Sequence, residues 1–202
     1  MAGTVLFLNG ASSSGKTSLT RTLQALWPRA LAVVGIDMLI TMLPPAYTGF
    51  GEHAAQGYPF TVETDDEGRS VTRASTGPLG RILERRLGEF VAGLAADGLD
   101  VVVDHVVTDE TAFFDAVGTL DPSTAYLIGL RCDLPTLALR EKARGDRALN
   151  LALDQHQRVH AGPWRYDLEL DSTSSSSADL AKAVIAFVAA KPPRALGELL
   201  AR

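Results

Sequence analysis

The sequence predicts an α/β protein: a three-layer α/β/α sandwich around a five-stranded parallel sheet, with a small lid. Two patterns lead there. Short apolar runs rich in β-branched residues recur along the chain, as strands buried on both faces of a parallel sheet do. Longer segments with apolar residues at helical spacing lie between them, the alternation that builds parallel sheets from strand-helix-strand units.

Residues 4–9 are an apolar run, β-branched at Val5 and followed by glycine, and read as the first strand. From Lys16 to Trp27, Leu19, Leu23 and Leu26 recur at helical spacing until Pro28 stops the helix. LAVVGID (31–37) reads as a second strand. The segment 78–98 reads as a long amphipathic helix with a stripe of Leu79, Ile82, Leu83, Leu87, Phe90, Val91 and Leu94, closed by Gly98. DVVVDH (100–105), TAYLIGLR (124–131) and YDLEL (166–170) read as the remaining strands. Further helices are expected at 109–118, 134–143, 150–160 and 178–190. Two segments break the alternation. Residues 44–77 lack helical period, carry several Gly and Pro, and contain a hairpin pattern turning near Glu67-Gly68. Residues 172–177, STSSSS, read as a solvated loop ending in a helix N-cap.

The 202 residues suit one domain over 1–202, with no repeat and no long linker. A net charge of −5 gives no bulk attraction to nucleic acid or anionic lipid, so any phosphate binding must be local. The single cysteine, Cys132, rules out an intrachain disulfide and fits a reducing compartment. No apolar run approaches the ~20 residues that span a bilayer. The expectation is a soluble cytoplasmic protein without nucleic-acid or membrane partners.

Gly10-Ala11-Ser12-Ser13-Ser14-Gly15-Lys16-Thr17 matches G-x-x-x-x-G-K-[ST] at every fixed position, between a strand and a helix. Gly10 and Gly15 allow a turn tight enough to aim backbone N–H groups inward as an anion nest. The helix that follows, with Ser18 in its first turn, points its positive end at the same place. Lys16 is placed to reach the β- and γ-phosphates, and the Thr17 hydroxyl to bind Mg²⁺. The motif implies a P-loop nucleotide-binding protein. A guanine-specifying N/T-K-x-D is absent, and the small size with one P-loop favours a small-molecule kinase.

Such a kinase needs a group to orient and deprotonate its acceptor, and in parallel sheets sites lie at the carboxyl ends of strands. Asp37 and Asp104 qualify. Asp37 reads either as a catalytic carboxylate or as the N-cap of the helix that follows. Asp104 ends a valine-rich strand, as an acid does in the Walker B pattern, and reads as a holder of the Mg²⁺ shell or of substrate. Arg140 and Arg144 stand four apart on one helix face, with Arg147 beyond Gly145. They read either as a lid over the transferring phosphoryl group, spanning about 140–150, or as a solvated basic helix end. His53, His105, His156 and His160 show no metal-ligand spacing, and His105 adjoins Asp104.

The stretches LNGASSSGKTS, VGIDMLI, VVVDHV, GLRCD, REKARGDR and VHAGPWRYDLELDST together resemble chloramphenicol phosphotransferase, a P-loop kinase family that O-phosphorylates chloramphenicol. The resemblance implies a P-loop kinase-like fold, ATP and Mg²⁺, transfer to a primary hydroxyl and antibiotic inactivation. It also implies a catalytic-base role for Asp37 and a lid role for Arg140, Arg144 and Arg147. Three features depart from the family, and two are single residues: His105 stands where a second acid is expected beside Asp104, and Trp164 is bulkier than expected. The stretch 44–77, expected to cover the substrate, is longer than the family's corresponding region. A metabolite kinase of the shikimate or gluconate kind, and a nucleotide-dependent binding module without turnover, are the alternatives.

Overall fold

The computed structural model describes residues 2–144, 148 and 150–201. In chain order the elements begin with β1 (Val5–Asn9), α1 (Lys16–Leu26), β2 (Leu31–Gly35), α2 (Ile36–Thr41), β3 (Thr48–Gly49), β4 (Tyr58–Thr64) and β5 (Ser70–Ala74). Then come α3 (Pro78–Ala96), β6 (Asp100–His105), α4 (Glu110–Val117), β7 (Ala125–Arg131), α5 (Leu134–Arg144) and α6 (Leu151–Arg158). The chain continues through β8 (Leu168–Asp171), α7 (Ser177–Ala190) and α8 (Ala195–Leu200).

Five strands form an all-parallel sheet in the order β2-β6-β1-β7-β8. β1 is buried on both faces, which is why its sequence shows no alternation of apolar and polar residues. Val5 and Phe7 join Val101, Val103 and Leu127 on one face, packed by α3, α4 and α8. Leu6 and Leu8 join Val102, Ile128 and Leu170 on the other, packed by α1 and α7 through Leu19, Leu23, Leu180 and Val184. Three layers result, as the alternation predicts.

Several boundaries differ from the sequence reading. β2 stops at Gly35, so Asp37 lies in the first turn of α2 rather than at a strand end. The buried face of α3 is Gly80, Glu84, Leu87, Gly88, Val91 and Ala95, and the predicted stripe members Ile82 and Phe90 are exposed. α8 follows Lys191-Pro-Pro and was not expected. Its first amides are held by the Asp167 carboxylate, which accepts from Arg194 N and Ala195 N at 2.7 and 2.9 Å. Residues 172–177 do end in an N-cap, Ser176, whose hydroxyl accepts from Asp179 N. Ser172, however, is buried rather than solvated.

The 44–77 segment is ordered around the expected hairpin. β4 and β5 pair antiparallel, and β3 adds to β4 as a third strand. The turn is set by Asp65, whose carboxylate accepts from the amides of Glu67 and Arg69, with Gly68 at φ 78°. The hairpin is fastened to α6: Arg73 donates to buried Asp154, and the Asn150 side chain donates to Ser70 O. No described helix is long and apolar enough to cross a membrane.

The open end of the sheet is tied by one carboxylate. Buried Asp100 accepts from Thr4 N (2.7 Å), the Trp27 indole (2.8 Å) and the Arg29 guanidinium, joining the starts of β1 and β2 to the end of α1. Asp100→Ala leaves those donors without their acceptor and is expected to cost about 3 kcal/mol. A denaturant titration showing a loss below about 1 kcal/mol would contradict this role.

Candidate active site

The loop between β1 and α1 is shaped by its glycines. A Cβ on Gly10 would meet Leu130 O at 2.7 Å, and Gly15 sits at φ 92°, a left-handed conformation that L side chains rarely adopt. Lys16 is buried, and its Nζ donates to Gly10 O (2.8 Å) and Ala11 O (2.9 Å) while lying 3.8 Å from Asp104 Oδ1. Thr17 Oγ1 donates to Asp104 Oδ2 at 3.1 Å. Two more distant elements brace the loop. Gln155 of α6 accepts from Ser12 N at 2.6 Å, and Ser172 Oγ donates to Ser14 O at 2.6 Å. The hydroxyls of Ser13 and Ser14 are buried without a hydrogen-bond partner among the described residues.

This loop opens onto a cavity of about 790 Å³. Ser12, Ser13, Gly15, Lys16, Thr17 and Ser18 line one wall, with Asp104 beside them. Asp37 lines the same cavity from α2 and is exposed. The N-cap position of α2 is Gly35, so Asp37 is not the cap that the sequence allowed. Arg140 and Arg144 project from α5 into the cavity, and Arg147 lies outside the described residues. Arg140 is anchored rather than solvated: its Nη2 donates to Ser172 O at 2.8 Å, and Nη1 lies 3.8 Å from where a Gly15 Cβ would stand.

The opposite wall is built by β4, β5, α3 and the start of α4, and it holds residues the sequence reading did not single out. Tyr58, Phe60, Thr76, Asp109 and Ala112 line it, together with Glu84. Glu84 is 1% exposed; its Oε1 accepts from the Thr76 hydroxyl at 3.0 Å and its Oε2 has no hydrogen-bond partner among the described residues. Burial pushes the Glu84 carboxyl up to about 7, against the lowering effect of that Thr76 bond. Its position three residues before Leu87 and seven before Val91 was the available signal, because it shares their buried face.

His105 is fully buried, stacks on Phe7 at 5.7 Å, and accepts from Val106 N through Nδ1. Burial pushes its imidazole down to about 4, so it is neutral at physiological pH. Trp164 does not line the cavity. It stacks on Phe113 at 5.0 Å in the core and donates to the Tyr166 hydroxyl.

A family model described as chloramphenicol phosphotransferase-like protein matches residues 3–189. The chain belongs to the chloramphenicol phosphotransferase-like family. Two Mycobacterium tuberculosis proteins, from strains CDC 1551 and H37Rv, are each named "Putative O-phosphotransferase" and are 26% identical over 180 residues, 89% of this chain and 80% of theirs. Among solved structures, a Janibacter sugar kinase has a TM-score of 0.64 at 17% identity, covering 93% of this chain and 95% of its own. The M. tuberculosis APS kinase CysC, in complex with AMPPNP and APS, has a TM-score of 0.62 at 17% identity over 94% of this chain and 99% of its own. Family and fold together make this chain a small-molecule phosphotransferase on a P-loop kinase-like α/β fold.

The Glu84 carboxyl has a direct consequence for stability. Its folded-state value lies above the ordinary 4.5, so its contribution is fully present below pH 4.5 and is lost as pH rises through about 7. Glu84→Gln removes this dependence. The stability of the variant relative to wild type is expected to rise by about 3 kcal/mol between pH 4.5 and pH 8. Denaturant titrations at the two pH values check it, and parallel pH profiles would contradict it.

Proposed function

We propose that this family member is an ATP-dependent O-phosphotransferase that moves the γ-phosphoryl group to a hydroxyl of a small molecule, such as an antibiotic of chloramphenicol's kind. The observation that carries the reading is one cavity collecting Lys16, Thr17, Asp104, Asp37, Arg140 and Arg144. The first three are the cradle, Asp37 is a carboxylate on the same space, and the arginines face it from α5.

In this reading the loop amides of residues 10–18 and Lys16 hold the phosphates. The Thr17 hydroxyl and Asp104 carboxylate are hard oxygen donors 3.1 Å apart, a pair that fits Mg²⁺, and that ion when bound supplies neutralisation of phosphate charge. Asp37 orients the acceptor hydroxyl and takes its proton as the oxygen attacks the γ-phosphorus. The bond from the γ-phosphorus to the bridging oxygen breaks, and ADP leaves with that electron pair. Arg140 and Arg144 of α5 stabilise the charge on the transferring group, and the expected lid of about 140–150 with Arg147 extends outside the described residues. The 44–77 unit covers the acceptor within a single domain, supported by its fastening to α6 through Arg73 and Asp154.

ADP release across a panel of hydroxylated antibiotics and metabolites tests the reading. Wild type is expected to respond to at least one acceptor. Asp37→Asn should lower that acceptor-dependent kcat ~100-fold or more while leaving the affinity for ATP unchanged. A variant that keeps more than about a tenth of the rate contradicts the base assignment.

A further inference from the structure

The cavity wall built by β4, β5, α3 and the start of α4 carries acidic groups. Glu84 and Asp109 line it, Asp37 and Asp104 line other parts of the same cavity, and the cations that line the cavity, Lys16, Arg140 and Arg144, come from the cradle and α5. Arg81 lies near Glu84 but is not among the lining residues, and its Nη1 is directed to Asp115 at 3.7 Å. The Asp109 carboxylate is committed to capping α4, accepting from Ala112 N at 2.9 Å. Glu84 is different. One oxygen accepts from Thr76, and the other, buried on a side chain that lines the cavity, has no hydrogen-bond partner among the described residues. A buried carboxylate oxygen left unsatisfied costs free energy unless something in the functional state pairs with it.

We infer that Glu84 is an acceptor-recognition residue, whose Oε2 pairs with a hydrogen-bond-donating nitrogen of the acceptor, neutral N–H or ammonium, and which disfavours anionic acceptors. The inference rests on the kinase reading only in placing the acceptor in this cavity. Specificity follows from the asymmetry of polar pairing: a substrate that supplies the donor satisfies Oε2, one that lacks it leaves the oxygen buried and unpaired, and a carboxylate there adds repulsion. Burial holds the Glu84 carboxyl near neutrality in its titration. An ammonium would therefore draw it to the ionised form on binding, and a neutral amide N–H would be accepted by Oε2 of the ionised form. The role is one of recognition and leaves proton abstraction to Asp37.

The test uses the full chain and four probes: chloramphenicol, its deacylated amino diol, shikimate and gluconate. Binding is read by calorimetry in the presence of a non-hydrolysable ATP analogue, and turnover separately by ADP release. The expected result is binding of the two amino-diol compounds and none of the two anions at equal concentration. Glu84→Leu should weaken both diols at least about tenfold, appearing in KM rather than kcat wherever turnover is seen. Glu84→Gln, which keeps shape and an acceptor oxygen, should hold the neutral diol within about threefold and lose affinity for the ammonium compound by about tenfold or more. Unchanged affinities in Glu84→Leu, tighter binding of the anions, or binding of neither diol would each overturn the inference. Diol binding without ADP release would sink the kinase reading and leave the Glu84 contact standing. ADP release with the anions alone would do the reverse.

Discussion

The parallel pairing of β1 with β6, with Leu8 opposite Asp104 and Asn9 opposite His105, is the constraint from which the rest of the site follows. It brings the end of the strand that launches the phosphate loop beside the end of the strand that carries the acid. With that register the Thr17 hydroxyl and the Lys16 ammonium both meet Asp104. A slip of one residue would turn Asp104 away and present a neighbour from the opposite face instead. The register is held by burial, because β1 is apolar on both faces and each face has its own helical layer.

Around that centre the molecule divides its charges. Basic groups gather at the loop and on α5, where phosphate charge would lie, and acidic groups gather on α2, α3 and the start of α4. Both halves are braced by contacts distant in sequence. Ser172 links β8's exit to the loop and to Arg140, and Gln155 and Asp154 of α6 link the loop and the hairpin respectively. α6 thus touches the cradle with one residue and the 44–77 unit with its neighbour. A shift of the hairpin would accordingly be felt at the Ser12 amide.

The layers, the cradle and the place of Asp104 near the end of a valine-rich strand were legible in the sequence, because strand burial and the G-x-x-x-x-G-K-[ST] spacing are local signals, whereas Asp37, expected at a strand end, lies in α2. The hairpin was legible from its turn chemistry at Asp65 to Gly68. Other features were not. α8 is six residues long and follows two prolines, so periodicity had too little to work on, and its start depends on Asp167, 27 residues away. The buried face of α3 was misread because Ile82 and Phe90 are apolar yet exposed, while Glu84 is charged yet buried. Hydrophobicity ranks residues by type, whereas Glu84 is placed by the two glycines of its own face, Gly80 and Gly88, and by Thr76. Ser172 looked like part of a solvated serine run because nothing local reveals a partner at Ser14.

In the proposed function, Asp104 and Thr17, brought together by the β1–β6 register, form the magnesium-binding half of the nucleotide site. Calorimetric titration with ATP, with and without Mg²⁺, tests it without reference to any acceptor. Wild type is expected to bind ATP at least about tenfold more tightly with Mg²⁺, and Asp104→Asn to lose most of that gain while keeping its metal-free affinity. An undiminished Mg²⁺ effect in Asp104→Asn would contradict the account.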